Sequence, residues 1–185
     1  MGVVMDPDKT DKVISQPSGS SPNLIQEVIS DVLDREGGPV VVNDPADTGG
    51  RTQYGISERS HPEAWTDGQV TEKEAREIYL RKYVVGPGFH RIPPAYIKLQ
   101  AQLIDYGVNS GPAIATQKLQ VILGVGVDGI LGPQTIEAII LGDPRDLNNR
   151  LVRARVEMIA RLVQKVPTNI KFLTGWLNRA MDFVY

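Results

Sequence analysis

Proline stands at the start of most of the helix-like segments in this chain, and the positions of these prolines constrain the fold more than any other feature. Proline is tolerated in the first turn of a helix but breaks its interior, so each such position predicts a separate helix start. Apolar residues recur at helical spacing after each of these prolines. The prolines are Pro22, Pro94, Pro112, Pro133 and Pro144.

Two further helices are predicted from capping residues. Thr71 with Glu74 three residues later forms a capping box, which predicts a helix through about Val84. Thr168, directly after a proline that ends the preceding segment, is predicted to cap a final helix with Trp176 in the core. The first helix is predicted to begin at Pro22, with Ser21 as its N-cap, and to end at a Gly-Gly pair.

One short region differs from the helical pattern. Residues 39–42 form a β-type run, residues 44–50 are rich in turn formers, and residues 52–56 follow as a second short segment, so a small hairpin region is predicted. Strands and helices do not alternate along the chain, which argues against Rossmann folds, TIM barrels and α/β-hydrolases. Helices around one small β-region are the predicted architecture.

Composition excludes several classes of chemistry. The 185 residues include no cysteine and two histidines, which excludes thiolate zinc sites, cysteine nucleophiles, disulfides and histidine-rich metal centres. We therefore expect no metal and no cofactor. The net charge of −2 argues against a nucleic-acid partner. No apolar run approaches the ~18 residues of a transmembrane helix, and the beginning of the chain does not resemble a signal peptide.

Glu36 occupies a position that suits a general acid. It precedes Gly37 and Gly38 at the predicted end of the first helix, where unpaired carbonyl groups disfavour an ionised carboxylate. A general acid must hold its proton near neutrality, so this location favours that role. An exposed glutamate at a frayed helix end is the alternative interpretation.

The turn region after Glu36 supplies further polar groups. Asp44, Asp47 and Thr52 follow closely in sequence, and a hairpin there could fold them over the helix end. Two carboxyl groups across a cleft, with a hydroxyl that holds a water, are the minimum apparatus for glycosidic hydrolysis. Alternatively, the two aspartates only form Asx turns, which short Asp-rich loops commonly contain.

Taken together, these residues resemble a known family. Glu36-Gly37-Gly38, followed by residues 43–56 with the sequence Asn-Asp-Pro-Ala-Asp-Thr-Gly-Gly-Arg-Thr-Gln-Tyr-Gly-Ile, closely resembles the muramidases of glycoside hydrolase family 108, found among phage endolysins. The resemblance implies cleavage of peptidoglycan glycan strands. It places Glu36 as the catalytic acid and points to Asp47 and Thr52 as its partners. The stretch between Gly38 and Asn43 is about two residues longer than usual, which leaves Asp44 as a rival to Asp47.

The resemblance continues into the second half of the chain. Residues 105–111 and 127–135 are similar to the peptidoglycan-binding region that follows the catalytic segment in this family, and they supply Asn109 as a candidate for substrate binding. Residues 128–135 also have a local explanation, because Asp128-Gly129 suits a turn and Gly132-Pro133 a helix start. Tyr54 is the aromatic residue best placed to stack on a sugar, and Arg51 is a candidate partner for peptidoglycan carboxylates.

These inferences predict a mainly α, α+β lysozyme-like fold, two-lobed and helical, with a small β-hairpin near the active site. Residues 1–22 are predicted to be a disordered arm and residues 23–90 a catalytic lobe. Residues 91–185 are predicted to form a helical lobe that contains the peptidoglycan-binding-like segment and makes one compact unit with the first lobe.

The predicted function is hydrolysis of the β-1,4 bond between N-acetylmuramic acid and N-acetylglucosamine by a phage endolysin. Spacing alone does not choose between inversion and retention. Two alternatives stay open: a non-catalytic peptidoglycan-binding module, and a glycosidase of chitin or chitosan. The resemblance further implies a monomer that accumulates in the host cytoplasm and reaches the periplasm and cell wall with the help of a holin.

Overall fold

A computed structural model describes residues 22–43 and 49–185 of the chain. It confirms the mainly helical, lysozyme-like class, with seven α-helices and one two-stranded antiparallel sheet in those residues. Short 3-10 turns connect several of the helices. The elements are α1 (Pro22–Arg35), β1 (Thr52–Gln53), β2 (Ile56–Ser57), α2 (Glu72–Tyr79), α3 (Ile97–Ser110), α4 (Pro112–Leu123), α5 (Pro133–Leu141), α6 (Pro144–Lys165) and α7 (Leu173–Met181).

Helix α3 is the centre of the molecule. Every residue from Leu99 to Gly107 is buried, so this helix is covered on all sides. Helices α1, α4 and α6 pack against it. Helix α1 contributes an apolar face of Ile25, Ile29, Val32 and Leu33, which follows from their spacing of three and four residues.

The predicted helix starts agree with the structure where proline opens the helix. Helices α4, α5 and α6 begin at Pro112, Pro133 and Pro144. At Pro94 the structure first forms a 3-10 turn over Pro94–Tyr96, and α3 follows at Ile97. Pro22 begins α1, whereas Ser21 lies outside the described residues.

Two predicted helices differ from the structure in type or in start. The capping box of Thr71 and Glu74 is present and the segment is helical through Val85, as predicted, but only Glu72–Tyr79 is α-helical and Leu80–Val85 is a π-helix. Thr168 caps no helix: it lies inside a 3-10 segment, Pro167–Phe172, and α7 begins later. Tertiary contacts override local propensity at such junctions.

The predicted strand over residues 39–42 is reduced to one isolated bridge. Val42 pairs with Thr52 through two backbone hydrogen bonds of 2.8 Å, while Val40 and Val41 are exposed. β-branched residues favour strands chiefly by packing on a buried surface, and this run has none on which to pack.

Within the two described ranges, no helix combines the length and apolar composition that a bilayer span requires.

Candidate active site

Glu36 lies at a well-defined helix end. Its backbone N–H donates to the Val32 carbonyl at 3.0 Å, and the Gly38 N–H donates to the Leu33 carbonyl at 3.0 Å. The second bond, with Gly37 at φ 103°, is that of a Schellman motif, which requires a left-handed residue and so favours glycine. The Glu-Gly-Gly sequence thus stops α1 directly after Glu36 and leaves its side chain half-buried.

The β-hairpin packs directly on Glu36. Gln53 pairs with Ile56 across a two-residue turn of Tyr54 and Gly55, both with positive φ, as a type I′ turn requires. A Cβ atom on Gly55 would lie 2.9 Å from the Cβ of Glu36, so only glycine allows this approach.

Three hydrogen bonds hold the hairpin in place, two to the residues that follow α1 and one to α2. The Tyr54 N–H donates to the Gly38 carbonyl at 3.0 Å, and the buried Gln53 amide donates to the Pro39 carbonyl at 2.8 Å. The Tyr79 hydroxyl, from α2, donates to the Tyr54 carbonyl at 3.0 Å. Burial raises the pKa of Tyr79, and the nearby Glu36 carboxylate raises it further, so this hydroxyl stays a donor.

A series of ion pairs connects Glu36 to charged side chains from the second half of the protein. Arg179 of α7 contacts Glu36 Oε1 through Nη1 at 3.3 Å and Asp105 Oδ1 through Nε at 2.9 Å. Asp105 also accepts from Arg155 Nη2 at 2.6 Å, and both side chains of that pair are 4% exposed. Such a pair fixes geometry because either partner alone would be a buried, uncompensated charge.

The structure places the other predicted site residues as follows. Thr52 is half-buried on β1, with its backbone paired to Val42, and Tyr54 is half-buried in the hairpin turn above Glu36. Asn109 is exposed near the end of α3 and donates to the Asp105 carbonyl at 2.7 Å. Asp44 and Asp47 lie outside the described residues.

Arg51 is held by local partners. Its guanidinium forms two hydrogen bonds with Glu58, at 3.0 and 2.8 Å, and a third with the Gly68 carbonyl at 3.0 Å. It also lies 4.9 Å from the ring centre of Trp65. These contacts connect the residues after β2 to the residue that precedes β1. Arg51 therefore has a structural role, which is compatible with a second role in substrate binding.

The Asp-Gly-x-x-Gly-Pro-x-Thr segment is organised around the buried side chain of Gln120. Its amide donates to Asp128 Oδ1 at 2.7 Å and to Thr135 Oγ1 at 3.2 Å, and its oxygen accepts from the Gly129 N–H at 2.9 Å. The Gln120 amide and the Ile130 N–H hold the pKa of Asp128 below its usual value. The polar groups of this motif therefore support the turn between α4 and α5.

Sequence reasoning missed Arg179, Asp105 in its charged role, Arg155 and Tyr79. A signal exists for the buried pair, because Asp105 interrupts an apolar run on α3 and Arg155 lies among apolar residues of α6. Trp176 was predicted to be a core residue, but it is only half-buried, stacks on Phe172 with ring centres 5.5 Å apart, and lines a cavity. Across the described ranges no three acidic or histidine side chains form a possible metal site.

Comparison with known proteins finds two family models and a solved structure that match this chain. A family model described as Glycosyl hydrolase 108 matches residues 29–111, and a model described as Predicted Peptidoglycan domain matches residues 114–181. The structure of Brucella abortus SagA is similar, with a TM-score of 0.67, 27% sequence identity, and coverage of 88% of this chain and 92% of that one. No curated protein matched the chain.

Proposed function

We propose that this chain, a glycoside hydrolase acting on peptidoglycan, is an N-acetylmuramidase. Residues 29–111 match the Glycosyl hydrolase 108 family model and residues 114–181 match a peptidoglycan domain. It would hydrolyse the β-1,4 bond between N-acetylmuramic acid and N-acetylglucosamine. The observation that supports this proposal is the position of Glu36: a half-buried carboxyl group at a helix end, under the hairpin turn and beside Arg179.

In the proposed mechanism, Glu36 protonates the leaving glycosidic oxygen. The carboxylate that results lies beside the Arg179 guanidinium, so the ion pair stabilises the state in which the proton has been given away. Asp47 stabilises the oxocarbenium-like transition state or orients a water, and Thr52 holds that water. Tyr54, Arg51, Asn109 and Asp44 are the proposed residues of substrate binding.

The test is the release of new reducing ends from purified sacculi, with the terminal sugar identified by mass spectrometry. Glu36→Gln keeps the backbone bond of residue 36 to Val32, so it should fold normally yet lose nearly all activity. Glu27→Gln, an exposed change on the same helix, is the matched control and should keep wild-type activity. Muramic-acid reducing ends that vanish only in Glu36→Gln would support the proposal.

Two other results would overturn it. Binding to sacculi without released fragments would mean that the chain acts as a wall-binding module. Reducing sugars released from chitin or chitosan in preference to sacculi would indicate a different substrate. An unchanged rate after addition of a chelator is expected, because the proposed chemistry uses two carboxyl groups and no metal.

The proposal includes a biological setting, in which the enzyme is a monomeric phage endolysin that passes a holin-opened inner membrane to reach the wall. Light scattering should give a mass near the 20.3 kDa of one chain. Expression in a host with a holin should cause lysis, whereas expression without one should not. A dimer, or lysis without a holin, would contradict this part of the proposal.

A further inference from the structure

A cavity lies on the far side of Arg179 from the proposed acid, and of its lining residues the mechanism above uses only Arg179 and Asn109. It is bounded by the end of α3 and by α4, α6 and α7, and has a volume of about 360 Å³. Its walls are mostly apolar and include Ile114, Met158, Leu162 and Trp176. Ligand pockets usually measure about 300–1,000 Å³, so this cavity is large enough for a small group and too small for several sugars of a glycan strand.

Two arginines that line this cavity each have a guanidinium nitrogen without a partner in the described residues. Arg155 is 3% exposed, and its Nη1 has no hydrogen-bond partner among the residues that the structure describes. Arg179 Nη2 is likewise buried and without a partner in those residues. Buried N–H groups of this kind are rarely left unpaired, because each costs free energy. Two of them on residues that line one cavity point to an oxygen acceptor that the described residues do not supply.

The charges around the cavity favour a negatively charged acceptor during catalysis. Arg155 and Arg179 carry two positive charges, and Asp105 carries one negative charge between them. When Glu36 holds the proton that it donates to substrate, the group of four has a net charge of +2 − 1 = +1. A carboxylate would neutralise this charge and accept hydrogen bonds from the unpaired guanidinium nitrogens, and the carbonyl of an amide would accept the same hydrogen bonds.

Resting on the proposed function, we propose that this cavity binds the lactyl-peptide arm of the muramyl residue. The arm carries carbonyl and carboxylate oxygens beside small apolar groups, which matches unpaired guanidinium donors in an apolar wall. Chitin lacks this arm, so the cavity would be the place where the enzyme distinguishes peptidoglycan from other N-acetylated glycans. Arg179 contacts Glu36 through Nη1 and also lines the cavity, so arm binding would also position the acid.

The first experiment compares peptide-bearing glycan strands with strands from which an amidase has removed the peptides and carbodiimide–borohydride treatment has reduced the remaining lactyl carboxylates to alcohols. Wild type should show kcat/KM at least about tenfold higher on peptide-bearing strands, the loss expected for a missing charge-assisted hydrogen bond. Ile114→Glu places a carboxylate at the cavity wall, in the first turn of α4 where acidic residues are tolerated, and should bring the preference close to one.

Val121→Glu is the matched control, since it adds the same charge at an exposed position of the same helix, and should keep the wild-type preference. Equal cleavage of both substrates by wild type, or an unchanged preference in Ile114→Glu, would overturn the inference. A wild type that releases no reducing ends from either substrate would instead refute the proposed function, and the second experiment would then decide the cavity alone.

The second experiment measures binding without turnover. The chain has four methionines, of which Met158 lines the cavity and Met181 lies exposed on α7. With 13C-methyl methionine in the Glu36→Gln protein, muramyl dipeptide should shift the Met158 resonance and leave that of Met181 in place. Diacetylchitobiose, which carries acetamido groups but no arm, should leave both in place. A Met158 resonance unmoved by muramyl dipeptide, or moved equally by chitobiose, would contradict the inference.

Discussion

Asp105 is the residue on which the site's charges converge, since it accepts from both Arg155 and Arg179 and is 2% exposed. Asp105→Asn leaves the buried Arg155 guanidinium without its counter-charge and removes one of the two carboxylates that pair with Arg179. Removing one partner of a buried pair typically costs about 3–5 kcal/mol, and we expect a loss of that size in the free energy of unfolding from urea titration.

Asp182→Asn serves as the control for this variant. Asp182 pairs with Arg35 at 2.9 Å, but its side chain is 54% exposed, and exposed pairs contribute about 0–1 kcal/mol. Equal losses in the two variants would mean that burial does not make the Asp105 network important.

A comparison of two variants distinguishes Asp47 from Asp44 as the second carboxylate. If Asp47 is the second carboxylate, Asp47→Asn should lower kcat by about 10²-fold or more, because a group acting on the reacting centre is lost. Asp44→Asn should stay within about threefold of wild type, since an asparagine still supports an Asx-type turn. The reverse order of effects in a reducing-end assay would reassign the role to Asp44.

Glu36 was predictable from sequence because the reason for its position is local. Two glycines directly after a helical run end the helix there, and no distant contact is needed to infer it. Arg179 was not predictable in the same way, because it lies 143 residues from Glu36 in sequence. Nothing within α7 marks its guanidinium as a partner of a carboxylate at the end of α1.

The contact between the hairpin and α1 depends on Gly55. Gly55→Ala would place a Cβ 2.8 Å from the Tyr79 hydroxyl and 2.9 Å from the Cβ of Glu36, in a left-handed conformation at φ 71°. We expect this variant to lose activity by about 10²-fold, because a shift of about 1 Å at an acid can cost that much.

Gly37→Ala isolates the part of this effect that is due to packing. Its φ is 103°, so an alanine there is also strained, by about 1–2 kcal/mol, but its Cβ would meet nothing within 4 Å. Both variants should therefore be less stable in thermal unfolding, with only Gly55→Ala strongly impaired in reducing-end release per folded molecule. Similar activities in the two would refute the packing argument.

The two threonines predicted to be helix caps provide a paired test of element boundaries. Thr71 accepts from the Glu74 N–H and completes a capping box, so Thr71→Ala should cost about 0.5–2 kcal/mol in urea unfolding. Thr168 lies within a 3-10 segment where no side-chain cap forms, so Thr168→Ala should stay within about 0.5 kcal/mol of wild type. A larger loss at Thr168 than at Thr71 would restore the capping role predicted for Thr168.

These elements also show which boundaries a sequence can define. Pro112, Pro133 and Pro144 begin helices because proline acts on its own backbone, whatever surrounds it. The change from α2 to a π-helix at Leu80 depends on what the segment packs against, and periodicity cannot predict it. The exposed valines at 40 and 41 fail as a strand for the same reason.

The segments matched by the two family models share one hydrophobic core, and both contribute charged residues to the proposed active site. The first ends at residue 111 and the second begins at residue 114, yet α3 of the first packs against α4 and α6 of the second. Arg155 and Arg179 come from the second segment, whereas Asp105 and Glu36 come from the first. The two segments therefore share contacts throughout the described residues, and we propose that the peptidoglycan-domain segment completes the proposed active site.

This arrangement makes a clear prediction for a chain divided at residue 111. A fragment of residues 22–111 would expose the apolar faces of α3 and leave Asp105 without both of its arginines, so we expect neither cooperative urea unfolding nor release of reducing ends. Adding residues 112–185 as a second chain should restore some of both, because the missing surface and charges return together. Adding the same second chain with Arg155→Met and Arg179→Met is the control and should restore less. If residues 22–111 alone folded cooperatively and cleaved sacculi at the wild-type rate, the second segment would be a separate binding module and the single-unit interpretation would be wrong.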